Sequence, residues 1–143
     1  MSREVAYSAL FTLLQSLQTN GAFKTCSRRV KLIDDMNNAE LPALFMGTSD
    51  QHIEQRMGSP AKRTYTAQVF LYVANPNKHT AAGIQLNGLI DAVEAALAPS
   101  VMARVQTLGG VVAHAWLDGK QEVYELPQSE RAAAILNISL LVP

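Results

Sequence analysis

The sequence lacks several features that mark particular classes of protein. It has one cysteine, Cys26, in 143 residues, so no disulfide can form within a chain and a reducing compartment is expected. Lysine plus arginine equals aspartate plus glutamate, 12 of each, whereas a dedicated nucleic-acid binder needs an excess of cations to neutralise phosphates. A neutral chain also lacks the self-repulsion that keeps copies apart.

Long apolar runs are also absent. No window approaches the roughly 18 uninterrupted apolar residues of a membrane span. The amino-terminal stretch MSREVAYSALFTLLQSL has neither the uniform apolar block nor the cleavage site of a secretory signal. We therefore expect a soluble protein that is made in the cytoplasm. Apolar residues still make up 48% of the chain, a globular composition that suits one domain, residues 1–143, with a sizeable core.

Hydrophobic periodicity predicts two helices. The first is capped by Ser2 and ends at Asn20-Gly21, and the second runs from about His79 to Leu97. Each carries an apolar stripe at the spacing of one helix face. The stripes are Leu10, Leu13, Leu14 and Leu17 in the first helix, and Leu86, Leu89, Ile90, Val93 and Leu97 in the second.

Alternation of apolar and polar residues predicts the strands. Residues 64–73 and the carboxy-terminal run alternate, Phe23–Ile33 is a further candidate, and Asp118-Gly119 is a tight-turn signal inside a predicted hairpin. Strands outnumber helices and occur in runs. We therefore predict an α+β fold: a mixed, mostly antiparallel sheet with two main helices packed on one face. The predicted inward residues are Tyr65, Ala67, Val69, Leu71 and Val73, with Ala134, Leu136, Ile138, Leu140 and Val142.

Residue patterns for catalysis or metal binding are not apparent. The histidines are His52, His79 and His114. None has a second histidine or a cysteine within a few residues, so no zinc site is indicated. Cys26 has no histidine partner, although the nearby Arg28 and Arg29 could lower its pKa. We expect no enzymatic activity, no metal and no cofactor.

The most distinctive segment is a polar excursion at residues 49–63, between the apolar strands LPALFMG and RTYTAQVFLYV. Its length of about fifteen residues exceeds the usual hairpin loop of roughly 2–5, and long loops are commonly functional. We interpret it as an interaction arm. The basic cluster Arg28, Arg29 and Lys31 is interpreted as a solvated strand face or a subunit contact.

The order of these pieces resembles the tail terminator (tail completion) proteins of long-tailed bacteriophages, the minor tail protein U-like group. The likeness lies in four segments: a short helix ending LQSLQTNG, the strand LPALFMGTSD before a long arm, RTYTAQVFLYV followed by GIQLNGLIDAVEAAL, and the terminal strand AAAILNISLLV. It covers nearly the whole chain. The segment VVAHAWLDGKQEVYELP is the part that departs from the group.

The resemblance implies a structural protein that forms a ring, a homohexamer, at the head-proximal end of the virion tail after assembly in the host cytoplasm. Such a ring caps the tail tube, ends tube elongation and offers a surface to the head-tail connector. Genomic DNA passes through its lumen without specific binding, with which a neutral charge is compatible. The arm would contact a neighbouring subunit or the tail tube protein. The implied interface residues are Asp50, Glu54, Arg56, Lys62 and Arg63, with Arg28, Arg29 and Lys31 as a second group.

Other functions stay open at this point. One is a head-completion or neck connector protein, one step nearer the head. Another is a small-ligand-binding or enzymatic α+β domain, with His114, Trp116 and Tyr124 lining a pocket between sheet and helix.

A third alternative is a nucleic-acid-binding sheet. It would stack bases on Tyr65, Phe70 and Tyr72. The absence of net positive charge argues against this function.

Overall fold

The computed structural model describes residues 3–75, 81–126 and 130–143. Within these ranges the chain forms two α-helices, α1 (Arg3–Thr19) and α2 (Ala82–Ala96), and one six-stranded sheet. The strands are β1 (Thr25–Ser27), β2 (Ala43–Glu54), β3 (Lys62–Ala74), β4 (His114–Leu117), β5 (Glu122–Leu126) and β6 (Arg131–Val142). The predicted helix cap Ser2 and the predicted helix start His79 lie outside the described residues.

The long strands β3 and β6 form the centre of the sheet. They pair antiparallel from Arg63 opposite Val142 to Ala74 opposite Arg131, without a break in register. β2 pairs antiparallel with the other side of β3, and β1 adds to β2 in parallel. β4 and β5 both pair with the remaining side of β6, one after the other. The predicted mixed, mostly antiparallel sheet is confirmed.

Both helices pack on one face of this sheet, which confirms the predicted α+β class. Alternation directs every second residue of β3 and β6 to that face, and all the predicted inward residues are buried there. The apolar stripe of α2 joins them in one hydrophobic cluster, together with Leu10, Leu14 and Leu17 of α1. Neither described helix has the combination of length and apolarity needed to cross a bilayer.

The opposite face of the sheet is partly covered by the loop between β1 and β2. Under this loop the rings of Phe45 and Tyr72 lie with centroids 5.6 Å apart. The Tyr72 hydroxyl donates to the carbonyl of Lys31 at 2.8 Å, and Arg131 donates to the carbonyl of Met36 at 2.7 Å. These hydrogen bonds fasten the loop to the sheet at two points.

The predicted strand at Phe23–Ile33 is largely wrong. Only Thr25–Ser27 is a strand, and beyond it Val30 and Leu32 are exposed. The alternation of these two residues with Arg29 and Lys31 looks like a half-buried strand. β1 pairs with β2 only at Ala43–Phe45, and beyond Ser27 the chain leaves the ladder although β2 continues to Glu54.

The predicted hairpin turn at Asp118-Gly119 is also wrong. β4 and β5 run in the same direction along β6, and residues 118–121 interrupt a single edge strand. The Asp118 N–H donates to the carbonyl of Asn137 at 2.8 Å, and its carboxylate accepts a hydrogen bond from the Ser139 hydroxyl at 2.9 Å. Gly119 takes φ +70°. Residues 118–121 are therefore an insertion in the edge strand, and β6 pairs with the strand on both sides of it.

The packing of α2 predicts a large loss of stability when its stripe is truncated. Leu86 has no exposed surface, so Leu86→Ala should lower the free energy of unfolding by roughly 2–5 kcal/mol through lost burial and a cavity. Chemical denaturation followed by circular dichroism measures this. Ile84→Ala, on the exposed side of the same helix, is the control and should change stability by within about 0.5 kcal/mol. Equal midpoints for the two variants would show that the α2 face is wrongly assigned.

Candidate assembly interface

Residues 49–63 form a paired ribbon rather than a loop. β2 continues to Glu54 and β3 begins at Lys62, so apart from a bulge at residues 49–50 only residues 55–61 are unpaired. The sequence did not indicate strand here because both faces of this part of β2 are largely exposed, and no apolar face marks it. β6 pairs with β3 as far as Arg63. Only residues 54–62, which we call the arm tip, extend beyond the sheet.

The arm tip is ordered by its own hydrogen bonds. The Ser59 N–H donates to the carbonyl of Arg56 at 3.1 Å and closes a β-turn. Gly58 occupies its third position at φ +78°, as a type II turn requires. The Gln55 side chain donates to the carbonyl of Ser59 at 2.8 Å. Met57, at the corner of the turn, is fully exposed, so an apolar side chain stands at the apex of a polar tip.

The charges of the arm leave an excess of cations at the tip. Arg56 is paired within the tip, with its Nη2 2.9 Å from Oε1 of Glu54. Lys62 in the tip and Arg63 at its base have no carboxylate partner among the described residues, so two positive charges are unbalanced there. Asp50 lies further back, at a β-bulge between Thr48 and Gln51 where two residues of β2 oppose one of β3.

The first turns of α1 hold the base of the arm. The Arg3 Nε donates to Gln51 Oε1 at 2.6 Å, and the guanidinium lies 5.8 Å from the centroid of the Tyr65 ring. Tyr7 stacks on the same ring, with centroids 5.9 Å apart, and burial raises the pKa of its hydroxyl. The ribbon therefore leaves the sheet in a direction set by the helix layer.

The second predicted interface group lies in a loop, and two of its three charges have local partners. Arg28 forms an ion pair with Glu4 of α1, and this contact lowers the pKa of the Glu4 carboxyl. The Nζ of Lys31 lies 3.8 Å from Oε2 of Glu40, whereas Arg29 is exposed. The interpretation of these residues as a strand face is wrong, because β1 ends before them.

Both predicted groups lie along the outer flank of β2. β1 covers this edge only at Ala43–Phe45, and Val30 beyond it lies against Gly47. The arm begins a few residues further along the same strand. In the described part of the chain no hydrogen bond or ion pair joins the two groups. They are neighbouring parts of one flank rather than a single cluster.

The side chains that could carry chemistry are dispersed. Over residues 3–75, 81–126 and 130–143 no three of the His, Cys, Asp and Glu side chains converge as metal ligands. His52 is exposed on the ribbon, and His79 lies outside the described residues. His114 accepts the backbone N–H of Gln106 at Nδ1, 3.1 Å away, and stacks on Trp116. Its visible role is to fasten the preceding loop to β4.

A groove lies at the other edge of the sheet, and only its β4 side was anticipated from the sequence. It lies between the carboxy-terminal half of α2 and β4 and has a volume of about 560 Å³. We call it the edge groove. Four residues that line the groove on the α2 side are short or acidic and recur at i, i+3, i+4 and i+7, beside the apolar stripe. This spacing on one helix face is the sequence signal from which the groove could have been predicted. These four residues are Asp91, Glu94, Ala95 and Ala98, and the rest of the lining is Leu97, Pro99 and His114–Leu117.

The ligand pocket predicted at His114, Trp116 and Tyr124 is correct only in part. His114 and Trp116 line the edge groove, but Tyr124 does not. Tyr124 lies on β5, half exposed, with its hydroxyl donating to Glu122 at 3.0 Å.

The predicted base-stacking platform does not exist. Tyr65 is buried on the helix side of β3, whereas Tyr72 is buried on the opposite side under the β1–β2 loop. Phe70 packs beside Tyr72 in the same cluster. These rings point to two different faces, and both tyrosines are buried, so the three rings cannot stack on successive bases.

Burial makes Cys26 a poor nucleophile. It raises the pKa of the thiol from an ordinary value near 9.0 to about 11, and the neighbouring Arg28 is occupied by Glu4. Two pKa units lower the thiolate fraction about a hundredfold at mildly alkaline pH. Iodoacetamide should therefore alkylate the folded protein at least about tenfold more slowly than the unfolded protein, as followed by mass spectrometry, because the stronger nucleophilicity of a high-pKa thiolate offsets part of the lost thiolate fraction. Equal rates would contradict the assigned burial of the thiol.

Comparison with known proteins gives a likeness of fold. No family model and no curated protein matches the chain. Among solved structures, a chain from the virion of a native gene transfer agent (GTA) particle is similar, with a TM-score of 0.58 and 11% sequence identity. The match covers 99% of this chain and 98% of that chain. The two chains share a fold from end to end.

Proposed function

We propose that this protein is a structural component of a phage-like virion, without enzymatic activity or cofactor, that forms a ring on the tail tube. The observation that carries the proposal is the likeness in fold to a virion chain over nearly the full length of both proteins. The order of sequence segments that resembles the tail terminators supports the finer assignment. In this finer assignment the ring is a hexamer at the head-proximal end of the tail. The ring ends tube elongation and contacts the head-tail connector.

The two unlike edges of the sheet support the ring. The β2 flank carries a protruding, cationic arm tip, whereas the β4 flank carries a recessed groove with two carboxylates. Copies with different surfaces on opposite sides associate head to tail, and such contacts close into rings when the rotation between neighbours allows. The arm tip extends past the last residues of β6 and is therefore accessible to a second copy or to the tube protein beneath.

A neck connector protein is the neighbouring alternative. Both proteins would be virion components without a catalytic site, and both would let genomic DNA pass through without specific binding. They differ in the particle that accumulates when the protein fails. Loss of a terminator gives tails of uncontrolled length, whereas loss of a connector gives tails of normal length that lack heads.

Reversing the charge of the arm should block assembly and spare folding. The triple variant Arg56→Glu, Lys62→Glu and Arg63→Glu should change stability little, since surface substitutions typically shift it by within about 0.5 kcal/mol each. Assembly should fail because like charges then meet across the contact. In a complementation assay we expect overlong tails by electron microscopy, with a nearly unchanged thermal unfolding midpoint.

Val93→Ala is the matched control for this experiment. Val93 is fully buried in the main core, so the variant should lower the thermal midpoint through a small cavity and give tails of normal length at permissive temperature. Normal virions from the triple-glutamate variant would remove the arm from the mechanism. Tails of normal length without heads would favour the neck connector.

A further inference from the structure

We propose that the edge groove receives the arm tip of a neighbouring copy, so that the β2 flank of one subunit docks on the β4 flank of the next. This inference specifies which surfaces form the contact between subunits of the ring. The place of that contact in a virion rests on the proposed function. The contact itself is a property of the purified chain, because both surfaces are present in one sequence.

The arm tip and the edge groove lie at the same end of the sheet but on opposite edges. The tip leaves β3 at Lys62, next to the pair Arg63–Val142, and β4 pairs with β6 as far as Leu141. β2 and β4 are three strand spacings apart, roughly 14 Å. A protrusion on one edge and a recess at the same level on the other allow each copy to engage the next in the same way.

The apex of the tip and the floor of the groove are both apolar. Met57 is fully exposed, and a methionine side chain adapts well to an irregular recess. The groove presents Leu97, Ala98 and Pro99 at the end of α2, with Trp116 across from them on β4. Docking would remove apolar surface from water on both sides, which favours association.

The charges around these apolar surfaces are complementary. Asp91 and Glu94 are exposed on the α2 side of the groove, and no described residue forms an ion pair with either. Lys62 in the arm tip and Arg63 at its base have no ion-pair partner among the described residues. Two carboxylates therefore lie at the rim of the groove that receives the cationic tip, with Arg63 at its base, and opposite potentials both attract the partner and fix its orientation.

The backbone of β4 favours a turn as the occupant of the groove over an added strand. The Ala115 N–H, which points away from β6, already donates to the carbonyl of Gln106 at 2.9 Å. An incoming strand would find this edge position occupied. The arm tip instead presents side chains from a turn that its own hydrogen bonds preorganise, which reduces the entropy lost on docking.

Cross-linking between two single-cysteine variants tests the contact. In a Cys26→Ser background, one copy carries Met57→Cys and a second copy, distinguishable by size, carries Ala98→Cys. A short bismaleimide should link the two copies about tenfold faster, or more, than it links Met57→Cys with Ile84→Cys, because docking raises the effective concentration of the first pair only. Ile84 is exposed on the same helix but away from the groove. Equal rates for the two pairs would overturn the proposal.

A charge swap separates docking from chance collision. Asp91→Lys with Glu94→Lys in the groove copy should lower the rate of cross-linking about tenfold or more, since like charges then face the tip. Lysines near the end of a helix suit its dipole, so α2 should remain folded, and a thermal melt checks this. Lys62→Glu with Arg63→Glu in the tip copy should restore the rate. The contact would be contradicted if the two lysines in the groove left the cross-linking rate unchanged. It would also be contradicted if the two glutamates in the tip copy failed to restore that rate.

The outcome is distinguishable from that of the tail-capping proposal. If the copies cross-link and respond to the charge swap while disrupted variants still give normal tails, the groove contact stands and tail capping falls. If the triple-glutamate variant gives overlong tails while the cysteine pair does not link, tail capping stands and the groove proposal is wrong. In the second case the arm contacts the tube or another part of the neighbour.

Discussion

The arrangement of the whole chain depends on the antiparallel pairing of β3 with β6. The two strands hold one register from Arg63 opposite Val142 to Ala74 opposite Arg131, and their helix-facing side chains make the floor on which both helices pack. β2 and its arm attach to one side of this pair, and β4 and β5 attach to the other. A shift by a single residue would turn every inward side chain of one strand to the opposite face, so burial fixes the register strongly.

The centre of the sheet is uniform, whereas its two edges differ. On the β2 side the edge is covered first by β1, then by the loop around Val30, and it ends in a free ribbon. On the β6 side the edge strand is broken at residues 118–121, and a groove opens between it and α2. Natural sheets often shorten or interrupt their edges, which prevents indiscriminate strand pairing. In this protein the two modified edges differ: the β2 edge ends in a protruding ribbon, and the interrupted edge strand borders a recessed groove.

The sequence predicted the elements that bury a periodic face. Both helices, β3 and β6 were found because their apolar residues recur at 3.6 or at 2 residues. It failed where local patterns depend on a partner strand. Val30 and Leu32 alternate like a strand but do not pair with β2. Asp118-Gly119 looks like a turn but interrupts an edge strand, since β6 is long enough to pair with both halves. The arm was located as a segment, but its pairing was hidden by exposure on both faces. The edge groove joins residues far apart in sequence, so His114 and Trp116 on its β4 side were predicted as pocket residues but the α2 side facing them was not.

The bulge at Ser49 and Asp50 has a consequence for geometry. An extra residue in one strand increases the local twist and bends the ribbon, and it also resets which side chains of β2 face the helices. One added residue in β2 therefore sets the angle at which the arm leaves the sheet. The bulge lies next to Gln51, whose side chain accepts a hydrogen bond from Arg3. In an assembly joined through the arm, that angle sets the curvature from one subunit to the next. Closure into a ring or extension into a helix would then depend on this one local kink.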